Sequence, residues 1–68
     1  MKNEENRVFT LKALRALQNE TQKDTAKAVG ISPSAYSRFE RNPGKIPMSL
    51  GNALSIHFNV RMDQIKFM

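Results

Sequence analysis

Ser34, Ser37, Arg38 and Arg41 stand at i, i+3, i+4 and i+7 of the run SPSAYSRFER. On a helix this spacing places all four on one face, and that face is wholly polar. Its chemistry is hydrogen bonding rather than catalysis. A guanidinium can give two N–H groups to a neighbouring pair of acceptors, whereas a serine hydroxyl both donates and accepts and so discriminates poorly. No competing constellation stands out. The carboxylates are scattered, with no pair spaced for acid–base work. There is no glycine-rich phosphate loop and no nucleophile with a base beside it. Cysteine is absent, which excludes disulfides and a thiolate zinc site. The single histidine, His57, reads as a surface or helix-end residue, and the four methionines read as core or contact filler rather than a metal site. We expect no enzyme, no metal and no cofactor.

A polar stripe matters only if something holds it outward. The helix that carries it is predicted over Pro33–Arg41, with Ser32 as N-cap, Pro33 at the first position and Ala35, Tyr36 and Phe39 inward. Just before it, AKAVG ends a preceding helix at Gly30, a residue that adopts positive φ without a Cβ clash. That preceding helix starts at Thr21, where Asp24 completes a capping box, and turns Ala26 and Val29 inward. Glycine stops one helix and Ser-Pro starts the next almost at once, which is a helix-turn-helix. A first amphipathic helix is predicted over Arg7–Gln18, burying Leu11, Leu14 and Leu17 with help from Val8 and Ala13, and stopping at Asn19. The segment NPGKIP (42–47) reads as a loop. A fourth helix follows from near Pro47, with Leu50, Leu54 and Phe58 four apart and Asn59 at its end. A short fifth is predicted from about Arg61 to Phe67. There is no period-two strand pattern. The fold class is thus all-α, with residues 1–6 a flexible N-terminal tail and residues 7–68 a single domain.

The chain has 68 residues, a net charge of +5 and 40% hydrophobic residues, which suffices for one small core. Residues 21–45 alone carry Lys23, Lys27, Arg38, Arg41 and Lys45 against Asp24 and Glu40, a net of +3. The basic excess thus lies on the segment that bears the stripe, and it suggests a polyanionic partner. No apolar run is long enough for a membrane span, and the polar start MKNEENRVFT is not a signal peptide. We expect a cytoplasmic, nucleoid-associated protein with no membrane and no small-molecule ligand.

Gln22 to Arg41 resembles the helix-turn-helix of the Cro/CI phage-repressor family, also called the XRE family. The resemblance rests on Thr21-Gln22 at the start of the second helix, the small Ala26, the turn glycine Gly30, and apolar Val29, Ile31, Tyr36 and Phe39. The ending RFER (38–41) is similar to the family's hydrophobic-Glu close of the third helix. The likeness runs from about Leu11 to Ile65. It implies a compact five-helix, lambda-repressor-like DNA-binding domain with the helix-turn-helix at helices two and three. It also implies an internal ion pair between Arg15 and Glu40. Three positions depart from the family pattern: Thr25 where leucine is usual, Glu20 where an apolar residue often packs, and Arg61 in place of a Ser/Asp cap.

The stripe then acquires a target. A helix of this kind fits the major groove, about 12 Å wide, and Arg38 can donate twice to guanine O6 and N7. Ser34 and Ser37 touch bases or let the backbone approach, and Pro33 can press on a thymine methyl. Phosphate contacts are expected from Asn42, Lys45 and Arg41. Gln22, at the start of helix two, either meets a phosphate or is simply a solvated polar residue. The function expected is a sequence-specific transcriptional regulator, a repressor, binding double-stranded DNA as a homodimer on a palindromic operator. Met62, Ile65, Phe67 and Met68 either form the dimer surface or close the core. The alternative is a protein-interaction module, such as an antitoxin or a mobile-element accessory factor, with secondary DNA binding.

Overall fold

The computed structural model describes residues 7–68, so the expected tail 1–6 lies outside the described residues. The described residues form four helices: α1 (Leu11–Leu17), α2 (Gln22–Val29), α3 (Pro33–Arg41) and α4 (Met48–Phe58). Two single 3-10 turns, Pro43–Lys45 and Met62–Gln64, also occur among the described residues. The core gathers Leu11 and Leu14 of α1, Ala26 of α2, Tyr36 of α3, Leu50, Leu54 and Phe58 of α4, and Ile65.

Local chemistry sets the helix starts. The side chain of Thr10 accepts from the Ala13 N–H at 3.1 Å, and that of Ser32 accepts from the Ala35 N–H at 3.1 Å. Thr21 and Asp24 form the reciprocal capping box, each bond 3.0 Å. The stops of α1, α2 and α4 share one device, whereas α3 ends at Asn42 with φ −131°. Asn19, Gly30 and Asn59 all take positive φ, at 57°, 78° and 56°. At each, the next residue's N–H reaches back to a carbonyl five residues earlier: Glu20 to Arg15, Ile31 to Ala26 and Val60 to Ser55, all at 3.0 Å. These are Schellman closures.

Gly30 is the strictest of the three. Nothing lies within 4 Å of a Cβ built there, so the left-handed backbone alone selects glycine. Gly30→Ala is therefore expected to cost about 1–2 kcal/mol, measured as a lower urea midpoint at unchanged m. An unchanged midpoint would refute the role given to φ.

The structure corrects the expected helices in three places. α1 begins at Leu11 rather than Arg7, because Thr10, itself extended, caps it and residues 7–10 are not helical. Phe9 instead pairs in parallel with Ile65, its N–H donating to the Gln64 carbonyl at 2.7 Å and its carbonyl accepting from the Lys66 N–H at 2.8 Å. Leu17 is 71% exposed rather than core. Steps of three residues drift about 60° on a helix, so Leu17 stands about 120° round from Leu11. The fifth helix is only the 3-10 turn at Met62–Gln64. The Arg61 N–H donates to Gln64 Oε1 at 3.0 Å, and Ile65 is already extended to meet Phe9. The described fold is therefore four-helical rather than five-helical.

Candidate nucleic-acid interface

α3 is anchored on one side and open on the other. Tyr36 is fully buried, with Ala35 and Phe39 half-buried beside it. On the opposite face Ser34, Arg38 and Arg41 are exposed and Ser37 is half-buried. Pro33, at the start of the helix, is exposed as well. The Arg38 guanidinium makes no hydrogen bond or ion pair with another described residue. Arg41 Nη1 donates to Ser37 Oγ at 2.9 Å. Asn42 closes α3, its N–H donating to the Arg38 carbonyl at 2.8 Å, and is exposed. Lys45 projects from the 3-10 turn that follows, also exposed. Lys23 and Lys27 are exposed on α2.

The orientation of α3 is set by one carboxylate. Glu40 Oε2 accepts from Arg15 Nε at 2.7 Å, and its Oε1 accepts from Arg15 Nη2 at 3.3 Å and from Gln22 Nε2 at 2.9 Å. Arg15 Nη1 also donates to the Glu20 carbonyl at 3.1 Å. Glu40 thus joins α1, the start of α2 and the end of α3. Burial raises its carboxyl, but the hydrogen bonds from Arg15 and Gln22 outweigh that and hold it below its ordinary value. The same bond to Glu40 raises Arg15. Tyr36 Oη lies buried without a hydrogen bond of good geometry. Burial first, and the Glu40 carboxylate second, push its phenol far up. The Gln22 side chain is half-buried, and one of its amide donors is occupied by Glu40.

A second polar tie was not legible in the chain. Glu20 accepts from Thr25 Oγ1 at 2.6 Å and from His57 Nε2 at 2.8 and 3.0 Å. Burial raises the Glu20 carboxyl, but the bonds from His57 and Thr25 prevail and lower it. Thr25 is fully buried, so a hydroxyl with a partner stands where leucine is usual. His57 is held between elements, with 22% of its side chain exposed. The signal was available only as a coincidence: the two departures at positions 20 and 25 are both polar, and each supplies what the other needs.

The C-terminal apolar residues divide. Ile65 is buried, Met62 and Phe67 are half-buried, and Met68 is 93% exposed. Met62 and Phe67, with Ile46, Pro47, Met48 and Gly51, line an open cavity of about 180 Å³. Among the described residues no group of His, Cys, Asp or Glu is arranged to hold a metal ion, and no helix is long and apolar enough to cross a membrane.

No curated protein and no solved structure matches the chain. The family described as Helix-turn-helix (HTH_3) matches residues 11–65, from the first residue of α1 to the core residue Ile65. That span contains the turn at Gly30, the exposed face of α3 and the Glu40 clamp. The chain belongs to this helix-turn-helix family, the Cro/CI-like or XRE-type DNA-binding regulators.

Proposed function

We propose that this regulator acts as a repressor, laying α3 into the major groove of an operator half-site and binding a palindrome as a symmetric homodimer. One observation carries the reading. The face of α3 left open among the described residues bears Ser34, Ser37, Arg38 and Arg41, while Tyr36 and the Glu40 clamp fix the other. Arg38 is the principal base reader, because its fork is free to meet guanine O6 and N7 together. Ser34, Ser37 and Pro33 border it. Asn42 and Lys45 approach the flanking phosphates. At Gln22 the contact is made by the backbone N–H at the start of α2, since the side chain is turned to Glu40. One α3 covers few base pairs, so two half-sites about 10 base pairs apart are read together.

The test is a titration of the chain against duplexes selected from a random pool and against unselected duplex. Affinity is expected to fall with salt at a log–log slope of about −0.9 per neutralised phosphate. Arg38→Ala is expected to lose roughly 5- to 150-fold of the preference for the selected duplex. Lys45→Ala is expected to weaken all duplexes alike and shrink the slope by about 1. Equal losses on both kinds of DNA after Arg38→Ala would remove Arg38 from base reading. Selected sequences without twofold symmetry would remove the dimer.

A further inference from the structure

Arg41 Nη1 donates to Ser37 Oγ at 2.9 Å, one helical turn back along the exposed face of α3. A serine within a helix often turns its hydroxyl onto the carbonyl four residues earlier. Ser37 does not; its bond to Arg41 is the one its side chain makes among the described residues. The guanidinium therefore occupies an Oγ lone pair and repels the hydroxyl proton, which turns away from it. We propose that Arg41 is a specificity-positioning residue, fixing the Ser37 hydroxyl as a hydrogen-bond donor toward the base edge beneath it.

A free serine hydroxyl serves a base donor and a base acceptor almost equally, and so selects little. Once Arg41 takes one of its two acceptor lone pairs and turns its proton outward, it pairs with purine N7, guanine O6 or thymine O4 and offers less to the amino group of cytosine. Arg41 has five N–H donors, so those beyond the one given to Ser37 remain for a phosphate. Positioning and phosphate contact then coexist in one side chain. Because this role depends on α3 lying in the groove as proposed above, the two must fail differently.

The experiment measures binding of the full chain to its best duplex from a random pool and to every single-base-pair substitution of it. Circular dichroism melts show which variants remain folded. Ser37→Ala is expected to flatten discrimination by roughly fivefold at one base pair. Arg41→Ala is expected to flatten the same base pair, and the double variant no further. Arg41→Gln, whose amide donates without charge, is expected to keep that discrimination while the salt slope falls by about 1. If Arg41→Ala weakens all duplexes equally and leaves the Ser37 preference intact, the positioning role is overturned while α3 remains the reading helix. If the wild-type chain shows no preference among duplexes, α3 does not read bases and the positioning role goes with it.

Discussion

Glu40→Ala is expected to remove about 3 kcal/mol of stability, a large share of the roughly 3–10 kcal/mol that a domain of 68 residues holds. The side chains of Arg15 and Glu40 are only 17% and 7% exposed. Deleting the carboxylate strands the Arg15 guanidinium and the Gln22 amide together, because both donate to it. Stranding one member of a buried pair costs about 3–5 kcal/mol, and the residual access of Arg15 to water places this case at the lower end. The linkage has a definite sign. Glu40 is held below its ordinary value of 4.5, so its contribution is full above that pH and is lost as pH falls toward the folded-state value. Urea unfolding of the wild type is expected to show falling stability below about pH 4.5, and Glu40→Gln is expected to lessen the fall. Glu20 keeps a share of it, being lowered by His57 and Thr25. A Glu40→Ala midpoint equal to wild type at pH 7 would show that the clamp contributes nothing.

What was legible in the chain and what was not divides by sequence distance. Gly30, Asn19, Asn59, the Thr21–Asp24 box and the Ser32-Pro33 start are local devices, each decided within about six residues, and the structure has all of them. The outward stripe of α3 was equally local, since helical geometry alone assigns its face. Phe9 and Ile65 were not legible, because their pairing is made by backbone groups far apart in the chain and leaves no period-two trace in a single bridge. Leu17 failed for a geometric reason: apolar residues three apart stay close to one stripe over a single step and have left it by the second. Glu20, Thr25 and His57 failed because polar partners are recognised by contact, and the chain separates Glu20 from His57 by 37 positions. Read singly, each of the three looked like a weakness or a surface group.

Core packing and the proposed reading face are linked through the stability of the domain. Leu54 is fully buried at the centre of α4, and Leu54→Ala is expected to cost about 3 kcal/mol, the transfer of its side chain plus the cavity it leaves. In a domain of this size that lowers the melting temperature by roughly 12–24 °C. Leu54 lies away from the open face of α3, so the folded fraction of the variant should still read DNA. Anything that binds only the folded state returns stability by mass action, about 2.7 kcal/mol at a hundredfold excess over the dissociation constant. The selected duplex at that excess is therefore expected to restore most of the lost melting temperature, while unselected duplex at the same concentration restores much less. Adding Arg38→Ala must shrink the rescue by about 1.4 kcal/mol for each tenfold of affinity lost. A Leu54→Ala variant that recovers equally with both duplexes would mean that charge alone holds the DNA. One that recovers with neither would mean that the packing around Leu54 shapes α3 itself, and that core and reading face are one cooperative unit.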